Sequence, residues 1–232
     1  MRDKIIFNWS GGKDSAYCLH QLQQQQADIL GLLTSVNEHY QRVSMHGVRI
    51  SLLEQQCKQI GLPLIKMMVP EMPDMQVYEQ AMTSVLSDLK SQGATTAAFG
   101  DIFLEDLRRY REEKLAQLNL KAIFPIWKIP TIELARSFIA KGFKSIITCI
   151  DNTVLDQSFA GRLFDESFLQ DLPANIDPCG ENGEFHSFVF DGPVFKDAPV
   201  AFTKGELVLR SYANPTDPAQ QKGFWYCDLL PA

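Results

Sequence analysis

A six-residue segment near the start of the chain, SGGKDS at 10–15, has residue types suited to binding phosphate. Its two glycines let the main chain turn sharply and approach an anion with no Cβ in the way. A helix that begins here points unpaired N–H groups at the ligand, and the lysine adds positive charge. The aspartate would repel a phosphate directly, so we assign it to holding a magnesium ion or to fixing the loop. The candidate phosphate-binding residues are Ser10, Gly11, Gly12, Lys13, Asp14 and Ser15, with Lys13 and Asp14 also catalytic candidates and Asp14 the candidate metal ligand.

The spacing of this segment differs from two common nucleotide-binding motifs. It lacks the G-x-x-x-x-G-K-[ST] pattern of the Walker A loop and the G-x-G-x-x-G pattern of dinucleotide sites. A glycine turn with a serine cap and no ligand is the structural alternative. We favour ligand binding because six specific residues fall at a predicted strand-to-helix turn.

A second polar cluster, CGENGEFHS, occupies residues 179–187. Glu181 and Glu184 would bind a substrate amine or ammonium, or one of them would act as a general base. His186 would transfer a proton or orient a carboxylate. We take these three residues as catalytic candidates. Cys179 has no recognisable base partner in the sequence, so we interpret it as structural rather than nucleophilic.

Two shorter motifs complete the set of candidates. In MHGV (45–48), an ordinary loop histidine is the simpler interpretation, but near a nucleotide site His46 would line the substrate or adenine pocket. In GDI (100–102), Gly100 and Asp101 come at the predicted carboxyl end of a strand, which favours a ligand contact. The next helix carries three arginines, namely Arg108, Arg109 and Arg111. Their sequence context fits equally well a contact with a phosphate or carboxylate and ordinary surface ion pairing.

Alternating strands and helices must position these motifs. The hydrophobic pattern predicts strands at 4–9, 29–36, 63–69, 94–102 and 121–127, and helices at 16–26, 51–61, 75–90 and 104–120. This order predicts an α/β fold with a doubly wound parallel sheet, whose ligands bind at the carboxyl ends of the strands. The SGGKDS segment follows the first of those strands.

The pattern changes after about residue 130. We predict helices at 131–143 and 161–172, a strand at 144–150, a polar loop at 173–188 and strands around a turn in the tail. The predicted division is a nucleotide-binding domain at 1–130 and a smaller mixed α/β substrate domain at 131–232.

Composition limits the class of protein. The 232 residues carry a formal net charge of −6, which argues against a polyanion such as tRNA as the main partner. The five cysteines show no C-x-x-C pair, so we expect reduced thiols rather than a disulfide framework. No apolar run approaches the length of a membrane span, and the first residues are too polar for a signal peptide. We therefore expect a cytoplasmic protein.

The four motifs together resemble the diphthine–ammonia ligase family. The segment SGGKDS resembles the pyrophosphate loop of N-type ATP pyrophosphatases, and CGENGEFHSFVFDGPVF (179–195) resembles the C-terminal motif of that family. The resemblance implies an ATP domain of the adenine nucleotide alpha hydrolase-like (HUP or PP-loop) type, with the substrate site between it and a smaller C-terminal domain. In that arrangement residues 10–15 hold the ATP phosphates, and Glu181, Glu184 and His186 face the acceptor.

The reaction that the resemblance implies is ATP-dependent amide formation. A substrate carboxylate is adenylated with release of pyrophosphate, and ammonia then displaces AMP. The implied cofactors are ATP and Mg²⁺. The candidate partners are ATP, ammonia, a small-molecule or protein-bound carboxylate acceptor and a second copy of the chain. Because the chain has no room for a glutaminase domain, we expect the ammonia to come from solution or from a partner.

One departure from the family pattern concerns the acceptor. Members that make diphthamide typically carry G-E-G-G-E-[FY]-E-T, whereas this chain has Asn182 and His186 in place of a glycine and a glutamate. The variant resembles a bacterial branch of the family, for which a role in cobalamin salvage has been suggested. The alternatives are a tRNA-modifying enzyme of the same superfamily, which would need a cysteine pair and a basic surface, and a nucleotide sensor without chemistry.

Overall fold

Two β-sheets organise the chain. The structure is a computed structural model that describes residues 2–71, 73–214 and 217–232. The first sheet holds β1 (Lys4–Asn8), β2 (Asp28–Asn37), β3 (Arg42–Val43), β4 (Leu64–Val69), β5 (Thr96–Ala98) and β6 (Lys121–Ile123). The helices among these strands are α1 (Lys13–Gln24), α2 (Ile50–Ile60), α3 (Met75–Ser91) and α4 (Glu105–Gln117). The later part of the chain holds α5 (Thr131–Ala140), β7 (Lys144–Asp151), a 3₁₀ turn (Gln157–Phe159), α6 (Glu166–Asp171), β8 (Phe185–Asp191), β9 (Phe202–Asn214) and β10 (Asp217–Pro231).

The first sheet is parallel apart from the two-residue strand β3. Its parallel strands run in the order β4, β2, β1, β5, β6, and β3 pairs antiparallel with the end of β2. The chain therefore moves outward from β1 in one direction and then restarts at β5 on the other side of β1. Such a reversal leaves a crevice at the carboxyl ends of the two strands. Residues 10–15 follow β1 and residues 100–102 follow β5, so both predicted motifs lie at this crevice.

Strand β1 is buried on both faces, as a central parallel strand must be. Ile5 and Phe7 pack into one hydrophobic core, and Ile6 between them packs into the other. The first core continues without a break into the later part of the chain, where it includes Phe138 and Phe188. The two predicted domains thus share apolar packing, and the prediction of an α/β fold with a mainly parallel sheet is confirmed.

The second sheet is antiparallel, with the strand order β8, β7, β10, β9. Strand β9 forms one edge, where three consecutive apolar residues are exposed, namely Leu207, Val208 and Leu209. Every helix of the described residues is too short or too polar to cross a lipid bilayer.

Two sequence predictions in this half were wrong in extent. The helix predicted at 161–172 covers only Glu166–Asp171, because Asp165 caps its first turn by accepting the N–H of Phe168 and because Leu163 pairs with Ile146 instead. The loop predicted at 173–188 ends earlier, because β8 begins at Phe185 and pairs with β7. His186 and Ser187 therefore lie on a strand.

Candidate functional site

The phosphate-loop segment 10–15 forms a tight turn that opens α1. Gly11 adopts a left-handed conformation with φ of +79°, which favours glycine at that position. The hydroxyl of Ser15 donates to the carbonyl of Gly12 at 2.9 Å, and the N–H of Gly12 donates to the hydroxyl of Ser10 at 3.2 Å. These bonds fix the turn from within, at the point where α1 begins at the crevice.

Gly12 lies where two parts of the molecule approach the loop. A Cβ at this position would come within 2.8 Å of His46 Cε1 and 3.1 Å of the Ser187 carbonyl oxygen. Its φ of −89° suits any residue, so the requirement for glycine is steric rather than conformational. The loop is therefore enclosed by the 43–48 loop on one side and by β8 on the other.

A buried glutamine joins the phosphate loop to β8 and to the end of β1. The Gln56 side chain, on α2, donates to the carbonyls of Gly11 at 3.0 Å and Val189 at 2.6 Å, and it accepts the indole N–H of Trp9 at 2.8 Å. The residue is fully buried, so each bond replaces one that water would otherwise make. Sequence reasoning missed Gln56. The only signal was a polar residue within the apolar stripe of an amphipathic helix.

Lys13 does not extend into the crevice as a free cation. Its ammonium binds both carboxylate oxygens of Asp14, at 2.9 and 2.8 Å, and donates to the carbonyl of Cys179. Burial alone would lower the pKa of Lys13, but the charge and hydrogen bond of Asp14, together with Cys179 and Glu181, outweigh this effect and the pKa is raised. The main-chain N–H of Lys13 donates to the Ser187 hydroxyl at 3.1 Å. Lys13 thus links the phosphate loop to the later part of the chain through charge and main chain together.

Three carboxylates, on Asp14, Asp101 and Glu181, line the crevice. Asp101 is paired with Arg111, whose Nε lies 2.7 Å from its Oδ2. Glu181 accepts the main-chain N–H of Ile102 at 2.8 Å. Burial, together with the charges of Asp14 and Asp101, raises the pKa of Glu181 to about 7. A carboxyl group with this pKa can take up or release a proton near neutral pH.

Two histidine rings form another part of the crevice wall. The rings of His46 and His186 lie 4.6 Å apart between centroids. Nδ1 of His46 donates to the Ser187 carbonyl at 3.1 Å, which leaves Nε2 as the unprotonated nitrogen of the neutral ring. Burial lowers the pKa of His46 to about 4 and that of His186 well below its ordinary value. Nε2 of His186 is buried without a hydrogen-bond partner among the described residues, so this wall offers uncharged imidazoles and an unused hydrogen-bonding atom.

Glu184 does not line the crevice, whereas Glu181 and His186, the other two catalytic candidates of the 179–187 cluster, do. Its carboxylate accepts the N–H groups of Asp177 at 3.1 Å and Asn182 at 2.9 Å, and the side chain is almost fully buried. It therefore shapes the 177–184 loop from within, while Glu181 lines the crevice. The thiol of Cys179 donates to the carbonyl of Thr131, and burial raises its pKa, which disfavours the thiolate.

The crevice has a volume of about 550 Å³, within the range of small-molecule sites. Its walls include the predicted site residues Ser10, Lys13, Asp14, Ser15, His46, Gly100, Asp101, Glu181 and His186. One end is apolar, with Tyr78, Met82, Phe99 and Leu107 in its lining. The sequence left the roles of Arg108, Arg109 and Arg111 undecided between a ligand contact and surface ion pairing. Of these three arginines, only Arg111 lines the crevice. Arg108 stacks on Phe124 and Trp127, and Arg109 pairs with Asp106 at the surface.

Comparison with known proteins gives consistent matches along the chain. The family described as "Diphthamide synthase N-terminal domain" matches residues 3–122, and the family described as "Diphthamide synthase C-terminal domain" matches residues 130–201. The chain is also similar to the diphthine–ammonia ligases of Homo sapiens, Mus musculus and Rattus norvegicus. Each is 25% identical over 229 residues, an alignment that covers 87% of this chain and 84% of the relative.

Proposed function

Because this chain belongs to the diphthine–ammonia ligase family, we propose that it is an ATP-dependent ligase that adenylates a carboxylate and amidates it with ammonia. One observation carries this proposal. The phosphate loop after β1 and the acidic and imidazole groups of residues 181–187 line the same crevice. A site for activation needs nucleotide phosphates and acceptor side by side, and this arrangement supplies a wall for each.

The phosphate loop suits the first half-reaction. An oxygen of the acceptor carboxylate would attack the α-phosphorus of ATP, the bond to the β-phosphate would break, and pyrophosphate would leave with that electron pair. The helix N-terminus at Lys13–Ser15 would stabilise the negative charge on the departing group. The apolar end of the crevice, around Phe99, is the proposed seat of the adenine ring.

The raised pKa of Glu181 suits the second half-reaction. Ammonia would attack the acyl carbon of the adenylate, AMP would leave, and the new nitrogen would lose a proton. Ammonium is the form that prevails in water at neutral pH, so a base must first remove a proton from it. Glu181, with a pKa of about 7, is the proposed base at both points, and it would release the first proton to water before it accepts the second.

Magnesium is the metal that the proposal requires. Among the described residues, no three His, Cys, Asp or Glu side chains are arranged as a metal site. Mg²⁺ usually takes one or two carboxylates and completes its shell with phosphates and water. The negative charge of Asp14 and Asp101 that raises the pKa of Glu181 fits a bound cation. We propose Asp14 as the protein ligand, which requires the Lys13 ammonium to leave at least one of the two Asp14 oxygens that it binds. The metal would then neutralise charge on the phosphates.

Product analysis tests the proposal. Purified protein would be incubated with Mg-ATP, ammonium and a panel of carboxylic acids that includes cobyric acids and diphthine-bearing elongation factor. AMP, pyrophosphate and an amide in equal amounts, with one acceptor, are the expected products. Asp14→Ala should abolish pyrophosphate release. Release of ADP and phosphate, or tight ATP binding without turnover for every acceptor, would favour another reaction or a sensing role. Homodimer formation stays a prediction, measured by light scattering on the same sample.

A further inference from the structure

The last strand of the chain, β10, contacts the loop that carries His46. This 43–48 loop is a tight hairpin, in which the N–H of Val43 donates to the carbonyl of Val48 at 2.8 Å. The main chains of Arg42 and Arg49 form an antiparallel bridge across its base. The strands β9 and β10 lie beyond residues 3–122 and 130–201, which the family descriptions match. The contact of β10 with the loop is therefore a feature that those matches leave unassigned.

Both arginines at the base of the loop bind one carboxylate on β10. Asp228 accepts from Nη1 of Arg42 at 2.8 Å, and from Nε and Nη2 of Arg49 at 3.2 and 2.6 Å. Arg42 also donates from Nη1 to the carbonyl of Gly47 at 2.6 Å. The Asp228 side chain is 19% exposed. A single exposed ion pair contributes little, but a forked contact of one partly buried carboxylate with two arginines fixes geometry.

A close packing contact completes the attachment. Gly47 has φ of +68°, and a Cβ there would come within 2.7 Å of the ring of Tyr226, two residues before Asp228. The tip of the loop therefore lies directly on β10. At the other side of the tip, His46 donates to the Ser187 carbonyl and its ring approaches Gly12. The loop thus lies between β10 and the phosphate loop.

We propose that Asp228 is a positioning residue for the nucleotide site, and that it holds the 43–48 loop so that His46 stays against the phosphate loop. The residue touches neither ATP nor acceptor in this proposal. It acts through the two arginines, and the C-terminal strands become part of the machinery that orders the site. The proposal rests on the proposed function only for the identity of the ligand, since the loop geometry is independent of it.

The test compares Asp228→Asn with wild type in the full chain. The amide keeps the size of the side chain but loses the charge that holds the arginines. The first readout is the NMR titration of ¹⁵N-labelled histidine, with the His46 signal assigned by His46→Gln. The wild-type His46 ring faces His186, Lys13 and the Ser187 carbonyl, and its pKa is about 4. In Asp228→Asn the pKa should move towards 6.5, the ordinary value. His20, on α1, should titrate unchanged.

The second readout is the Kd for Mg-ATP, which should rise about tenfold, since small displacements of binding groups are costly. Asp228→Glu should restore much of the affinity. The matched control is Asp171→Asn, which breaks the surface pair with Arg162 far from the loop and should alter neither readout. If Asp228→Asn does not fold, Arg49→Gln removes one half of the contact and should give a smaller change in the same direction.

An unchanged His46 titration together with an unchanged Kd in Asp228→Asn would overturn the proposal. A shifted His46 titration in a protein that does not bind ATP in its wild-type form would support the positioning role and contradict the proposed function. The two failures are therefore distinguishable.

Discussion

The main-chain N–H of Val189 donates to the carbonyl oxygen of Gly11 at 2.9 Å. This bond joins β8 of the antiparallel sheet to the phosphate loop of the parallel sheet. Gln56 reinforces it by donating to the carbonyls of both residues. The phosphate loop is consequently held from the later part of the chain as well as by its own strand and helix, and the predictions below test that coupling.

Gly12→Ala should weaken ATP binding without unfolding the protein. The added Cβ would displace His46 and press on the Ser187 carbonyl, while the backbone conformation accepts alanine. We expect the Kd for Mg-ATP, measured by calorimetry, to rise about tenfold or more. Gly142→Ala is the control, because there the backbone conformation disfavours alanine while the surrounding space accepts it. Its Cβ would meet nothing within 4 Å, but its φ of +80° costs about 1–2 kcal/mol for alanine, so stability should fall and the Kd should not change. Equal Kd values for Gly12→Ala and wild type would contradict the steric argument.

Gln56→Leu should destabilise the fold and the site together. Leucine leaves the Trp9 indole N–H and the Val189 carbonyl buried without the bonds that Gln56 provides. The expected loss is about 3 kcal/mol in the free energy of unfolding, measured by urea denaturation. Gln55→Leu, at the half-buried neighbouring position, is the control and should cost far less. A loss below about 1 kcal/mol would show that Gln56 is not the cross-link that its geometry indicates.

Glu181→Gln should change the pH dependence of stability. The folded-state pKa of about 7 lies above the ordinary value of 4.5, so the folded protein binds the proton more tightly than the unfolded chain does. The contribution of Glu181 to stability should therefore fall as pH rises from about 4.5 to 7, on the order of 1–3 kcal/mol, and the neutral glutamine should remove that contribution. The lowered pKa values of His46 and His186 act in the opposite direction in both proteins, so the difference between wild type and variant isolates Glu181. Thermal unfolding at pH 5 and pH 8 measures it. The variant should be the more stable protein at pH 8, and the two should be similar at pH 5. A parallel pH dependence in both proteins would place the titration elsewhere.

Glu184→Ala should retain ATP binding and lose turnover. Its carboxylate organises the 177–184 loop by accepting the N–H groups of Asp177 and Asn182, and Glu181 depends on that loop for its position. We expect turnover to fall about 100-fold and hydrogen exchange at the two amides to accelerate. Glu206→Ala, at an exposed position of β9, is the control. A large loss of ATP affinity in Glu184→Ala would instead assign Glu184 to the nucleotide site.

The sequence by itself determined the parallel sheet and the phosphate loop. Alternating apolar strands and amphipathic helices predict the layered α/β architecture because local periodicity decides which face each element buries. The segment 10–15 was recognisable because its residue types must be contiguous to build one turn, and the 179–187 cluster was recognisable for the same reason. The predicted extent of α6 was wrong because the Asp165 cap overrides the local helical spacing. The predicted loop at 173–188 was too long because pairing with β7 makes its last residues part of β8.

Only the tertiary structure decided how the separate segments meet. The contact of His46 with the phosphate loop, the bonds of Gln56, and the pairing of Asp228 with Arg42 and Arg49 all join residues more than 30 positions apart. The structure also separates Glu184 from Glu181, which are three positions apart, because the loop between Gly180 and Phe185 directs one carboxylate inward and the other to the crevice. Long-range approach depends on the packing of whole elements, and local residue patterns carry no record of it.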